Sequence, residues 1–132
     1  MRVSDLEIKD EHVIVSPETT LDVAAKKILE LGKGVLVVLD NRRPNYGSPL
    51  GILTDSHLLM ALANSLDCKN EICLNHLDSN FISVKLDNEV KDISKEMQTK
   101  KPSSVMVVDE NGNFVGYFSP NDYREALISL SP

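Results

Sequence analysis

One pattern of residues occurs twice along this chain of 132 residues, and that internal repeat constrains the fold more than any other feature of the sequence. Residues 13–16 match 82–85, and 36–40 match 105–109, both at an offset of 69. The offset is 71 where 3–6 match 74–77, and 65 where 51–54 match 116–119, because the first turn, over 41–49, is longer by four residues. We therefore predict two copies of one unit, residues 1–66 and 72–132, joined by a linker over 67–71.

Each copy shows the same order of local patterns. Apolar side chains recur at spacings of three and four in residues 21–31 and 90–97, which is typical of one face of an amphipathic helix. Short apolar runs at 35–39 and 105–108 indicate strands, and Asp-Glu-Asn-Gly-Asn at 109–113 predicts a hairpin turn. A last helix is predicted in each copy, over 57–66 and 121–130.

The repeated order β-α-β-β-α predicts an α+β fold of α/β-like character, made of two pseudo-symmetric repeats. A unit of about 60 residues buries a marginal core when it is alone, and its apolar sheet face must be covered. The other copy is the natural cover. We therefore expect the two repeats to pack sheet to sheet.

Charge and hydropathy exclude several classes of protein. The chain has 14 Lys+Arg, 20 Asp+Glu and no Trp, which makes nucleic acid an unlikely main partner because phosphate contacts need clustered positive charge. Its longest apolar run, the six residues 58–63, is far shorter than the roughly 20 residues that span a bilayer. The first ten residues also lack the apolar region of a signal peptide. We expect a cytoplasmic protein without a membrane partner.

The two cysteines predict neither a disulfide framework nor a metal site. A pair of free thiols agrees with a reducing compartment. Cys68, Cys73 and His76 have the spacing Cys-x4-Cys-x2-His, which lacks a fourth ligand and the two-residue cysteine spacing usual in zinc sites. We expect no bound metal, and we interpret the thiols as linker and core residues.

Several short motifs, in the same order in both copies, carry a family resemblance. Residues 16–20 read Ser-Pro-Glu-Thr-Thr, Ala24-Ala25 follow in the first predicted helix, and 105–109 read Val-Met-Val-Val-Asp. Residues 116–123, Gly-Tyr-Phe-Ser-Pro-Asn-Asp-Tyr, are similar to the signature Gly-apolar-apolar-Ser/Thr-x-x-Asp-apolar of CBS domains. The chain resembles a tandem CBS domain pair, or Bateman module, and the two copies cover nearly all of it, as in a stand-alone CBS domain protein.

The resemblance implies a regulatory module that binds AMP, ATP or S-adenosylmethionine between its copies and serves as a metabolite or energy sensor, without catalysis. A carboxylate three residues after a serine, where a strand turns into a helix, can accept ribose hydroxyls while the serine faces phosphate. That pair is Asp122 and Ser119. The resemblance further implies Ser103 and Ser104 near the phosphate, Tyr117 at the sugar or base, and Ile14, Val15 and Ser16 at the adenine.

A pseudo-symmetric second site is implied by the first copy. Its residues would be Thr54, His57, Gly34 and Val35, with Ile82, Ser83 and Val84. His57 stands where the family signature has Asp, and a neutral imidazole cannot accept two ribose hydroxyls as a carboxylate can. We therefore predict that this site is weak or silent. No Ser or Cys nucleophile motif accompanies His57, which we interpret as a helix-start residue rather than a catalyst.

Two other functions stay open. One is a small nucleotide-processing enzyme using Asp122, Asp55 and His57, although the chain has no glycine-rich phosphate loop. The other is a structural or nucleic-acid-associated dimer without a small ligand. For Arg42 and Arg43, in the longer first turn, contact with phosphate or nucleic acid is a less favoured interpretation than solvation. Apolar residues of the terminal helices predict a homodimer through those helices: Leu58, Leu59, Leu62, Tyr123, Ala126, Leu127 and Leu130.

Overall fold

The structure is a computed structural model that describes residues 1–6, 12–32 and 35–119. These residues form six strands and three α-helices: β1 (Val13–Val15), α1 (Leu21–Leu31), β2 (Val35–Leu39), β3 (Pro49–Thr54), α2 (Asp55–Ala63), β4 (Phe81–Lys85), α3 (Val90–Lys100), β5 (Ser104–Val108) and β6 (Phe114–Phe118). Short 3-10 helices lie at Val3–Asp5 and Cys73–His76. The predicted last helix over 121–130 lies outside the described residues. None of the described helices is long and apolar enough to cross a membrane.

The strands form two three-stranded sheets, β1-β2-β3 and β4-β5-β6. In each sheet the first pair is parallel and the second pair is antiparallel. Parallel neighbours need a crossover, which α1 and α3 supply, whereas the antiparallel pairs are joined by a turn. The α+β class with two repeats is confirmed. The described residues divide into two compact units, 12–79 and a second made of 1–6 with 80–119.

Helix α1 spans the residues that its periodicity predicts. Leu21, Ala24 and Ile28 form its buried face, and Gly32 ends it with a left-handed φ of 79°. The prediction for α2 is wrong at both ends, because the helix begins at Asp55 and stops at Ala63. The predicted start, His57, is the third residue of the helix.

A hydrophobic core lies on one face of each sheet. Leu36 and Val38 of β2 pack with α1 on the core face, while Val37 between them lies on the opposite face, and all three are fully buried. In the other unit Val105 and Val107 of β5 belong to the core cluster that includes residues of α3. Burying one such aliphatic side chain stabilises a fold by about 1.5–3 kcal/mol.

The leading 3-10 helices pack with the opposite repeat from the one they precede in sequence. Val3 is fully buried in the core of the unit that contains residues 80–119, and its N–H donates to the carbonyl of Asn88 at 3.0 Å. Cys73 is equally buried in the other unit, and its N–H donates to the carbonyl of Thr19 at 2.8 Å. The compact units therefore do not follow the sequence copies: residues 1–6 belong with the second copy, and 72–79 belong with the first.

These hydrogen bonds also correct the alignment of the leading segments. The N–H of Ser4 donates to Leu86, and that of Leu74 donates to Pro17. Val3 and Ser4 are thus equivalent to Cys73 and Leu74, at an offset of 70 rather than 71. The second 3-10 helix has four residues against three in the first, and the extra residue restores the offset of 71 further along.

Candidate functional site

Three predicted phosphate-site residues meet at one end of the sheet β4-β5-β6. Val105 pairs with Phe118 in antiparallel register, so the preceding Ser104 lies beside the residue that follows β6, Ser119. On its other side Ser104 pairs with Phe81, the first residue of β4. Ser103 precedes β5 directly. The structure thus brings together Ser103, Ser104 and Ser119.

Ser104 differs from its neighbours in its burial. Its residue surface is 1% exposed, and its Oγ has no hydrogen-bond partner among the described residues. Strand alternation places it on the same face as Met106, opposite the core residues Val105 and Val107. A buried hydroxyl without a partner costs about 1–3 kcal/mol. The hydroxyl therefore keeps unused hydrogen-bonding capacity.

Asn80, which the sequence analysis did not identify, hydrogen-bonds to residues of the segment directly before Ser104. Asn80 accepts the N–H of Ser103 with its backbone carbonyl at 2.8 Å, and its side-chain Nδ2 donates to the carbonyl of Lys101 at 3.2 Å. Lys101 itself has a left-handed backbone, with φ 46°. These bonds fasten the α3–β5 connection to the start of β4. The available signal was an asparagine two residues before the repeated segment 82–85.

Tyr117 lies on the sheet face that also carries Ser104. It pairs with Met106, which pairs in turn with Ser83 of β4. Tyr117 and Met106 are buried, while Ser83 is exposed. The predicted sugar or base contact is thus on the same face as the buried hydroxyl.

The predicted adenine residues on β1 differ sharply in exposure. Ile14 is 51% exposed, whereas Val15 belongs to the core and can offer only its backbone. Ser16 shares a hydrogen bond with Thr19, with 3.0 Å between the two hydroxyl oxygens. On β4, Ile82 and Val84 are likewise core residues that flank an exposed Ser83. The two strands therefore expose different chemistry at equivalent places, apolar on β1 and polar on β4.

Thr54, His57 and Val35 come together at one end of the sheet β1-β2-β3. Thr54 pairs with Val35, and its N–H donates to Nδ1 of His57 at 2.9 Å. The same Nδ1 lies 2.9 Å from the Thr54 hydroxyl oxygen. His57 is the third residue of α2 and satisfies a free N–H at the helix start, as Glu does in a capping box. His57 therefore lies in the first turn of α2, two residues after the helix begins.

Two predicted site residues, Gly34 and Asp122, lie outside the described residues.

Cys68, Cys73 and His76, which are close in sequence, have different surroundings in the structure. His76 Nε2 lies 2.9 Å from Glu71 Oε2, and Cys73 is buried in the core, where burial raises the pKa of its thiol to about 11. Within the described ranges no three Cys, His, Asp or Glu side chains converge as a metal site would require.

The family model of the CBS domain matches the chain twice, at residues 3–64 and 72–129. The chain belongs to the CBS domain family. The two matched segments follow one another, as expected for a tandem CBS pair, and the resemblance of the motifs is confirmed.

Two uncharacterized proteins are similar to this CBS pair in sequence. The uncharacterized protein MK0525 of Methanopyrus kandleri is 29% identical over 122 residues, which cover 91% of this chain. An uncharacterized 17.7 kDa protein of Acidianus ambivalens is 27% identical over 118 residues, 89% of this chain and 68% of its own length. This chain spans 60% of the length of the Methanopyrus protein.

Among solved structures, the CBS domain protein PAE2072 of Pyrobaculum aerophilum, complexed with AMP, matches with a TM-score of 0.72 and 26% identity, covering 98% of both chains. The CBS domain pair of protein MJ0100, in complex with 5-methylthioadenosine and S-adenosyl-L-methionine, matches with a TM-score of 0.71 and 21% identity. It covers 99% of this chain and 98% of that one. The second likeness concerns the fold alone.

Proposed function

We propose that this CBS pair is a regulatory module that binds an adenosyl ligand, AMP, ATP or S-adenosylmethionine, and senses its concentration without transforming it. The observation that carries the proposal is the buried, unpartnered hydroxyl of Ser104 beside Ser119. A polar ligand would relieve the cost of that hydroxyl on binding. The AMP complex of the Pyrobaculum protein, which is 26% identical over 98% of this chain, supports the same ligand class.

The proposed roles follow from the chemistry of each group. The hydroxyls of Ser104 and Ser119 donate to phosphate oxygens, and Asp122, three residues after Ser119, accepts the two ribose hydroxyls. Ser103 and Ser104 carry no charge, so the basic residue nearest to them in sequence is Lys101, in the α3–β5 connection. One cation suits a monophosphate better than a triphosphate. We therefore expect AMP to bind more tightly than ATP.

We propose one ligand per chain. His57 occupies the position of the signature Asp and is hydrogen-bonded to Thr54, so that position offers no carboxylate for ribose and the threonine hydroxyl is already engaged. The equivalent exposed residues of β1 and β4 also differ. Ile14 is apolar and suits contact with a base, whereas Ser83 is polar and does not. Both differences favour the proposed site of Asp122 over that of His57.

Calorimetric titration with AMP, ATP and S-adenosylmethionine tests the ligand class. We expect one site per chain for at least one of them, with the heat abolished in Asp122→Ala. Asp87→Ala is the control, because it removes an exposed carboxylate of the β4–α3 turn and should leave binding intact. In His57→Asp we expect a second site per chain. Absence of heat with all three ligands would refute the proposal.

Regulation requires that the ligand bind two states of the protein with different affinity. We propose that the readout is self-association through the terminal helices. In α2, Leu59 and Leu62 are 66% and 61% exposed, while Leu58 of the predicted set is in the core. Sedimentation should show a dimer at micromolar concentration that Leu59→Ser weakens, with Val115→Ser on β6, where the side chain is 50% exposed, as the apolar control. A monomer throughout would contradict the dimer.

A further inference from the structure

The loop between β2 and β3 is the part of the first repeat that the second repeat lacks, since the β5–β6 turn is four residues shorter. It is held by its own hydrogen bonds. The N–H of Asp40 donates to the carbonyl of Ser48 at 2.8 Å, and the N–H of Gly47 donates back to Asp40 at 2.7 Å. A carboxylate oxygen of Asp40 accepts the N–H of Arg42 at 2.9 Å. The insertion therefore has a defined shape.

The tip of this loop exposes one aromatic and two basic side chains. Tyr46 is 66% exposed, the Arg42 side chain is 82% exposed, and Arg43 is exposed as well. None of the three belongs to either hydrophobic core. Tyrosine and arginine, with tryptophan, are the residue types enriched among those that dominate binding energy at protein interfaces. Their exposure on an ordered insertion points to recognition rather than stability.

The charges around the loop single out Arg43. Glu18 accepts a hydrogen bond from Nδ2 of Asn41 at 2.8 Å, and its other oxygen lies 3.9 Å from Nη2 of Arg42. Glu18 thus fastens the loop to the turn after β1 and partly offsets Arg42. Arg43 has no ion pair in the described part of the chain. In a protein of net charge −6, the loop thus carries an exposed arginine that has no ion pair among the described residues and, three residues further on, an exposed tyrosine.

We propose that Arg43 and Tyr46, with Arg42, form a docking surface for an acidic segment of a partner protein. A carboxylate can accept two parallel hydrogen bonds from a guanidinium, and the tyrosine ring supplies apolar contact area beside it. Single-stranded nucleic acid would use the same groups, but two arginines on an acidic chain neutralise few phosphates. The acidic protein segment is therefore the favoured occupant.

The docking surface lies away from the first-repeat half-site on the same sheet. Leu39, at the end of β2, pairs with Pro49 next to the loop, whereas Val35, at the start of β2, pairs with Thr54. The strand thus separates the loop from Thr54 and His57. Docking at the loop leaves those residues uncovered.

Fluorescence anisotropy with two labelled probes tests the proposal, one a peptide of alternating glutamate and leucine and the other an oligothymidine. We expect the peptide to bind at low salt, and about tenfold more weakly in Arg43→Glu and Tyr46→Ser. Lys91→Glu is the matched control, since it reverses an exposed charge on α3 and changes the net charge equally. It should leave peptide affinity within about twofold, because Lys91 belongs to α3 and not to the loop.

Three results would overturn the docking surface. The first is no binding of the peptide to the unmodified chain at low salt. The second is equal weakening by Lys91→Glu and Arg43→Glu, which would reduce the effect to net charge. The third is tighter binding of oligothymidine than of the peptide, which would assign the loop to nucleic acid. Thermal unfolding of all three variants, which change exposed side chains only, checks that the fold is retained.

Discussion

Ser104 combines two roles that a single substitution can separate. Its hydroxyl is buried without a partner among the described residues, so Ser104→Ala should raise the free energy of unfolding of the ligand-free protein by about 1 kcal/mol. The same change should weaken AMP binding about tenfold, because it removes a proposed phosphate donor. Urea unfolding and calorimetry measure the two effects. Ser79→Ala, at an exposed serine, should change neither.

A loss of stability in Ser104→Ala would show that its hydroxyl has a structural partner. Unchanged affinity together with higher stability would separate Ser104 from the ligand site and leave its burial unexplained by binding.

Cys73 predicts a pH dependence of stability. Its thiol is fully buried, and burial raises its pKa from 9.0 to about 11. The unfolded chain therefore releases this proton first, and the stability that Cys73 contributes below pH 9 is lost as pH rises toward 11. The free energy of unfolding should fall by roughly 2–3 kcal/mol over that range on account of this group.

Urea unfolding between pH 8 and pH 11 checks the contribution of Cys73. Cys73→Val removes the thiol and introduces the side chain that occupies the equivalent place in the other unit, Val3. The variant should lose stability less steeply than the unmodified chain. Cys68→Val is the control, at the cysteine that is only partly buried. Identical pH profiles for Cys73→Val and the unmodified chain would contradict the assignment.

At the scale of elements, the apolar pattern predicted the bounds of those helices and strands that depend on local sequence. The bounds of α1 and β2 agree with their predictions, because both are set by periodicity and by turn residues directly beyond their ends. Gly112 takes the positive φ, 85°, that the hairpin after β5 needs. The predicted start of α2 is two residues too late. His57 is the third helical residue, and its side chain accepts the N–H of the N-cap residue Thr54; the sequence pattern does not distinguish such a residue from the first residue of a helix.

Strand β3 requires a glycine at position 51 because another segment, at residue 78, packs closely against it. A Cβ at Gly51 would lie 2.5 Å from the carbonyl oxygen of Asp78, which accepts the N–H of Ile52 at 3.1 Å. Gly51→Ala should therefore separate the segment at residue 78 from β3 and lower the free energy of unfolding by about 2–3 kcal/mol. Gly112→Ala, where a Cβ would meet open space, should cost only about 1 kcal/mol through its positive φ.

Urea unfolding midpoints of the two alanine variants provide the comparison. Equal destabilisation would mean that backbone conformation, and not the approach of Asp78, explains the glycine at position 51.

At the scale of the whole molecule, the exchanged leading segments predict where a mutation acts. Val3→Ala should destabilise the unit of residues 80–119 by about 2 kcal/mol, although Val3 lies in the first sequence copy. Hydrogen exchange should show faster exchange of amides in β4, α3 and β5 than in β2 and β3. Val115→Ala is the control, because that side chain is 50% exposed on β6.

Faster exchange confined to β1, β2 and β3 in Val3→Ala would contradict the division of the chain into these units. It would instead agree with units that follow the sequence copies.

The sequence by itself determined the repeat, the order of elements and the residue types of the candidate site, since these depend on short-range pattern and on motifs read along the chain. Tertiary structure alone decided which copy residues 1–6 and 72–79 complete, because the two leading segments are similar and either core could accept an apolar side chain. It also decided that Val15 is buried while Ile14 is exposed, and that the Ser104 hydroxyl is unpartnered. Burial and partners depend on residues distant in sequence, which no local pattern specifies.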